Sequence, residues 1–309
     1  MRITVLAGFL AALLLALPAH AQLRAYDSMR PARSHGTAGL GRSFAAGGNA
    51  LFLNPAAFAL ASQYILGATY TVASQPDLDS EKAFSHSLGV EWTDSTPNAL
   101  HLAMALGYNL LFADDETTNH FHGSLAYVYR SSYMSFALGI GGHYSENLFL
   151  GVDGPENLWS GDVGLGFNFL NQFMIGLVGY NILNDHMSDM PKGFGGGLSY
   201  WTGPVVFAFD ISSMVDTTTR SGKEKDVLMS YIGGLQYMLA GDIFVRAGFR
   251  FDAEEETLAG ASSEKSLAGG ITAIVGQKVG FEIGYQHNID APEDFMVGLT
   301  IEMYTPFGQ

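Results

Sequence analysis

The chain has no cysteine in its 309 residues, so neither a disulfide-stapled secreted scaffold nor a thiolate metal centre is open to it. It is also poor in positive charge, with 15 Lys and Arg against 30 Asp and Glu and a formal net charge of −15. Without clusters of Lys and Arg it cannot meet a phosphate backbone, which excludes nucleic acid as a partner. Beyond Gln22 it lacks any run near the 18 or so uninterrupted apolar residues of a spanning helix. What it does have is apolar bulk: 48 % of the residues are hydrophobic and 12 % aromatic. An apolar chain with no spanning helix can still enter a bilayer as a closed β-barrel, which pairs every backbone group between strands and leaves no edge in lipid.

The N-terminus fits export. Arg2 is followed by an apolar run from Ile3 to Leu17, then Pro18 and the small-residue pattern Ala19-His20-Ala21. That is the layout of a secretory signal over residues 1–21, with cleavage expected before Gln22.

From Tyr64 onward one unit repeats: some ten residues alternating apolar with small or polar, then a break. Period two over that length is the mark of a barrel strand. About fourteen units follow one another, beginning near Tyr64, Ala83, Ala99, His120, Tyr133, Ser160, Phe173, Gly193, Val205, Ser230, Ile243, Lys265, Val279 and Phe295. In Val279-Gly280-Phe281-Glu282-Ile283-Gly284-Tyr285-Gln286-His287, large apolar residues alternate with Gly, Glu and Gln. The breaks sort into two kinds. Asp94 to Asn98, Arg130 to Ser132, Leu170 to Gln172, Thr202 to Pro204, Leu239 to Asp242 and Gly276 to Lys278 are tight turns with few acids. Between them lie longer acidic stretches: Pro76 to Lys82, Ala113 to Asn119, Ser145 to Trp159, Asn184 to Lys192, Met214 to Met229, Asp252 to Glu264 and Asn288 to Asp294. Tight turns at one rim and long loops at the other are the outer-membrane pattern, whereas a β-sandwich has no reason to sort its loops. Aromatics flank the tight turns, as at Tyr129, Tyr133, Phe169, Phe173 and Trp201, where an interfacial girdle is expected. The predicted fold is all-β: a 14-stranded antiparallel transmembrane barrel over residues 64–304, with a tail at 305–309.

Residues 22–63 precede the first strand. They contain Gly36-Thr37-Ala38-Gly39-Leu40-Gly41-Arg42 and Leu51-Phe52-Leu53-Asn54-Pro55-Ala56. Asn54 can cap a short helix that begins at Pro55. The glycines are no dinucleotide fingerprint, because no strand precedes them and no βαβ unit follows. A glycine-rich stretch running into Leu-x-x-Asn-Pro-Ala, followed by fourteen strands, resembles the long-chain fatty-acid transporter (FadL/OMPP1) superfamily, which includes the PorV and PorQ barrels of a secretion apparatus. The resemblance implies that residues 22–63 fold as a hatch inside the barrel and that Asn54, Pro55 and Ala56 belong to it. It also implies passive passage of small hydrophobic molecules across an outer membrane, with the N-terminus periplasmic or inside the barrel. A barrel this wide would otherwise leave an open lumen, since sixteen strands already enclose an aqueous channel. Two features depart from the transporter pattern: the chain is short in its loops, and it ends in Thr305-Pro306-Phe307-Gly308-Gln309 rather than on an aromatic. The short loops keep two other readings open, a PorV/PorQ-like barrel that docks secretion proteins and a structural barrel without transport.

The candidate lumen residues are Asp210, Arg246, Arg250, Glu282, Gln286 and Glu302, all on the face opposite Val, Phe and Ile. Charges there are expected to pair with one another or with the hatch, because buried charge must be compensated. The acidic runs Asp114-Asp115-Glu116 and Glu254-Glu255-Glu256 lack calcium-loop spacing and read as solvated faces. His120 and His122 share a strand face, but two side chains do not make a zinc site, so no metal and no cofactor are expected. No nucleophile elbow or other catalytic motif is present, which speaks against an enzyme. The expected partners are outer-membrane lipid and hydrophobic small molecules or secretion proteins, with the barrel acting as a monomer.

Overall fold

The alternating segments become strands because β-branched and aromatic side chains on every second position fit a pleated sheet with one apolar face. In the computed structural model they are β1 (Tyr64–Pro76), β2 (Lys82–Asp94), β3 (Leu102–Ala113), β4 (Glu116–Arg130) and β5 (Met134–Phe149). They continue as β6 (Pro155–Phe169), β7 (Phe173–Tyr180), β8 (Lys192–Thr202), β9 (Val205–Asp216) and β10 (Asp226–Ala240). The last four are β11 (Ile243–Glu254), β12 (Ser263–Val275), β13 (Val279–Asn288) and β14 (Phe295–Thr305). The structure describes residues 29–44, 47–76, 82–113, 116–149, 155–183, 192–216, 226–254 and 263–305. The expected signal peptide, residues 306–309 of the tail and parts of both acidic runs lie outside them.

Every strand is antiparallel to the next, and β14 returns to β1 from Tyr64↔Thr305 to Ser74↔Phe295, closing a 14-stranded barrel. Closure matters because an open edge cannot be solvated inside a bilayer. On β13, Gly280, Glu282, Gly284 and Gln286 are buried, while Phe281, Ile283 and Tyr285 are 47 %, 57 % and 43 % exposed. The same division puts Leu88 and Val90, Leu138 and Ile140, and Phe207 and Phe209 on the outside. An exterior so apolar is costly in water and suited to hydrocarbon. Among the described residues no helix is long and apolar enough to cross a membrane.

The tight turns observed are 95–101, 131–133, 170–172, 203–204, 241–242 and 276–278, all at one rim. Tyr129, Tyr133, Phe169, Phe173 and Trp201 are exposed around it, and Phe173 stacks on Tyr200 with ring centroids 4.6 Å apart. At the other rim several strands run further than their hydrophobic pattern indicates. β4 starts at Glu116 rather than His120, β6 at Pro155 rather than Ser160 and β10 at Asp226 rather than Ser230. The expected loops Ala113 to Asn119 and Ser145 to Trp159 shrink accordingly. The reason is physical: Thr117, Thr118 and Asn119 continue the ladder opposite Phe112, Leu111 and Leu110, although outside the lipid nothing requires apolar residues on their outer face. β7 is the shortest strand at 8 residues, so β6 pairs with it only from Val163↔Gly179 to Phe169↔Phe173.

Ahead of β1 lie α1 (Ala32–His35), α2 (Gly48–Leu53) and a 3₁₀ helix (Ala57–Ala61). This inner segment joins β1 at the tight-turn rim, where the Ser95 N–H donates to the Gln63 carbonyl at 2.9 Å. It packs against inward strand faces from both halves of the barrel: α1 on β12, β13, β14 and β1, α2 on β2, β3 and β4, and the 3₁₀ helix on β3 to β6. Leu51, Phe52, Leu53 and Phe58 are buried against Ala103, Ala105, Leu111, Ala126, Val128 and Ala137 of β3, β4 and β5. Full burial of each large side chain contributes roughly 1.5–3 kcal/mol. This sector is apolar, whereas the sector facing α1 is ionic.

Candidate functional site

On the ionic side, Arg33 of α1 reaches into the barrel wall. Its Nε donates to Glu282 Oε1 at 3.1 Å and its Nη2 to the same oxygen at 2.5 Å, with Glu302 Oε2 at 3.3 Å. The Thr272 hydroxyl donates to Glu282 Oε1 at 2.9 Å, and Arg246 Nη2 lies 3.7 Å from it. Arg246 also donates from Nε to Gln236 Oε1 at 2.7 Å and from Nη1 to the Thr272 hydroxyl. The Tyr304 hydroxyl donates to Glu302. Burial works against the Arg33 charge, but Glu282 and Glu302 outweigh it and hold its pKa well above the usual arginine value. A half-buried guanidinium facing the barrel wall is tolerated with such partners. The backbone of α1 approaches just as closely: the Ala32 N–H donates to Thr300 Oγ1 at 3.0 Å, and a Cβ at Gly284 would collide with the Ala32 carbonyl.

A second anchor forms at Asp210 on β9, which is fully buried. Its Oδ2 accepts from the Gly41 and Arg42 N–H groups at 2.8 and 2.9 Å and from Arg42 Nη1 at 3.4 Å. Arg42 Nη2 donates to Ser212 Oγ at 3.0 Å, and the guanidinium carbon stands 5.6 Å from the Tyr180 ring centre. Burial again opposes the charge, and Tyr180 and Asp210 raise the Arg42 pKa despite it. Three donors on one carboxylate oxygen give the charge-assisted bonds that hold a loop most firmly.

Asn54, Pro55 and Ala56 lie between these anchors and the apolar cluster. The helix expected to start at Pro55 does not: Asn54 ends α2, its N–H donating to the Ala50 carbonyl at 2.9 Å, and the 3₁₀ helix begins at Ala57. The Asn54 side chain instead ties three pieces together. Its Nδ2 donates to the Arg42 carbonyl at 2.8 Å and to the Leu165 carbonyl of β6 at 3.1 Å, while its Oδ1 accepts the Ala56 N–H at 3.0 Å. Using both ends of the amide explains why this position takes Asn and not Asp, which has no N–H to donate. A Cβ at Gly176 would strike the Arg42 carbonyl, so the strand opposite must be bare there.

All six candidate lumen residues point inward. Asp210, Glu282 and Glu302 pair with the inner segment; Arg246 bridges strand residues; Arg250 Nε lies 2.8 Å from Asp252 Oδ2; Gln286 is buried on the same face as Glu282. No motif or periodicity in the sequence marks Arg33 or Arg42; the available signal is that both are cations in or beside a glycine-rich segment with few other charges. Strand periodicity alone gives His120 and His122 as a pair, whereas His143 of β5 lies directly across from His122 in the ladder. Locating that partner from sequence requires the centre of the 131–133 turn to the residue.

No family model matches the chain, and no curated protein matches it. Solved structures do resemble it. The toluene transporter TodX of Pseudomonas putida is 13 % identical with a TM-score of 0.59, over 93 % of this chain and 99 % of that one. The CymD monoaromatic hydrocarbon channel is 14 % identical with a TM-score of 0.61, over 92 % and 99 %. A FadL homologue of Pseudomonas aeruginosa is 11 % identical with a TM-score of 0.56, over 89 % and 97 %. At such identities the likeness shows a shared fold.

Proposed function

We propose that this chain is an outer-membrane channel of the fatty-acid transporter superfamily, passing small hydrophobic molecules passively, with residues 22–63 as its hatch. The supporting observation is the inner segment, anchored at Glu282, Asp210 and Leu165 inside a lipid-facing barrel. In this reading the lumen charges hold the hatch and do not contact substrate, since most already carry protein partners. The neighbours named as hydrocarbon and toluene carriers make monoaromatic or aliphatic hydrocarbons the substrate class to try first. The test is uptake of labelled toluene and of a long-chain fatty acid in a strain lacking its own transporter. Entry above the vector control supports the proposal, and no entry of either with the barrel folded rejects it.

A second reading, a barrel that docks secretion proteins, draws on the short connections at the loop rim, where β3 and β4 are separated by only residues 114–115. Little chain remains there to build a capture site. Affinity purification from the native envelope distinguishes the two: stoichiometric secretion proteins favour docking, and a lone barrel favours transport.

A further inference from the structure

We propose that His120, His122 and His143 form a binding site for a divalent transition-metal cation of the zinc or copper class, oriented by Asp162. One ring nitrogen from each histidine lies within 4.8 Å of the other two, and all three side chains are buried. The barrel's register creates the cluster: His122 faces His143 across the β4–β5 ladder, and His120 sits two residues along on the same inward face. His122 Nδ1 and His143 Nδ1 are 3.0 Å apart. Nitrogens bound tetrahedrally at about 2.0–2.1 Å stand roughly 3.3 Å from each other, so from a spread of 4.8 Å the widest pair must close by about 1.5 Å.

The surroundings resemble those of a built site. His143 Nε2–H donates to Asp162 Oδ2 at 2.6 Å, which turns the Nδ1 lone pair toward His122. Asp162 is held in turn, because its Oδ1 accepts the Asn181 N–H at 2.8 Å where the β6–β7 ladder has stopped. A carboxylate fixing the far nitrogen of a ligand histidine is the usual outer support of a metal centre. The Ser145 hydroxyl meets His120 Nδ1, and Phe52 of the inner segment covers His122 with ring centroids 4.3 Å apart. Asn109 Nδ2 lies 3.5 Å from His122 Nε2. The tautomer that releases His122 Nδ1 for a metal carries its proton on Nε2, and a turned Asn109 amide accepts it with Oδ1. Neutral imidazoles suit zinc, copper or nickel, whereas calcium and magnesium require more oxygen ligands than Asp162 alone offers.

The experiment uses the full barrel folded in detergent, stripped with chelator and titrated with zinc(II) by calorimetry and with cobalt(II) by visible absorption. The expected result is one cation per chain and the intense visible bands of low-coordinate cobalt. Asp162→Asn should weaken binding about 10–100-fold, His143→Gln should abolish it, and the exposed His86→Ala and His101→Ala should leave it unchanged. A folded wild-type barrel with no saturable binding overturns the proposal, as does equal loss in His86→Ala and in the cluster variants. Should His143→Gln fail to fold, the wild-type cobalt spectrum decides alone: octahedral, aquo-like bands count against the site.

Discussion

Replacing Glu282 by Gln removes one charge from the centre of the ionic sector and leaves its shape nearly unchanged. The amide oxygen can still accept from Thr272, but Arg33 and Arg246 lose the carboxylate they share. Breaking a buried pair by neutralising one partner costs about 3–5 kcal/mol. Glu302, 3.3 Å from Arg33, retains part of the attraction, so the lower end applies. About 3 kcal/mol is roughly a hundredfold in the docking equilibrium of α1, at tenfold per 1.4 kcal/mol. Hydrogen exchange on the folded barrel reads this residue by residue. The Ala32 and Gly36 amides, bonded to Thr300 and to the Ala32 carbonyl, should exchange about a hundredfold faster, while the β13–β14 ladder keeps its rate. Unchanged exchange at residues 32–36 would refute the claim that the charge cluster holds the inner segment. Loss of protection across β13 and β14 would refute the claim that barrel and segment are separable.

Three further outcomes follow from the same contacts. Arg33 has its pKa raised in the fold, so its contribution is complete below the unfolded value and is lost only above it; the wild type should keep α1 docked at pH 11, whereas Arg33→Lys should release it as pH passes about 10–11, read by protease nicking of the segment. Asn54→Ala strands the Arg42 and Leu165 carbonyls and the Ala56 N–H, and at about 1–3 kcal/mol per buried orphan it should raise single-channel conductance in planar bilayers by loosening the segment. Ile283→Lys puts a charge on the lipid face of β13 and should cost about 2–4 kcal/mol of folding into vesicles if it lies near the midplane, where a soluble barrel would lose almost nothing at a residue 57 % exposed.

The strands were legible because lipid imposes a one-dimensional rule. Phe281, Ile283 and Tyr285 had to face out whatever the rest of the chain did, so Glu282 had to face in, and closure followed from counting. The rule fades where strands leave the lipid, which is why β4 and β6 run beyond their apolar alternation. Contacts across the lumen are a different matter, because no periodicity links Arg33 to Glu282, 249 residues away, or Asn54 to Leu165. The histidine cluster stands between these cases. Its parity was readable, since inward positions on β4 and β5 alternate, yet its membership depended on the register of one hairpin. A two-residue slip in the turn that set His143 opposite Ser124 would keep it inward but leave His120 and His122 an ordinary pair. Chemistry in a barrel of this kind is therefore set by turn geometry as much as by residue type, because the turn decides which side chains meet across the ladder.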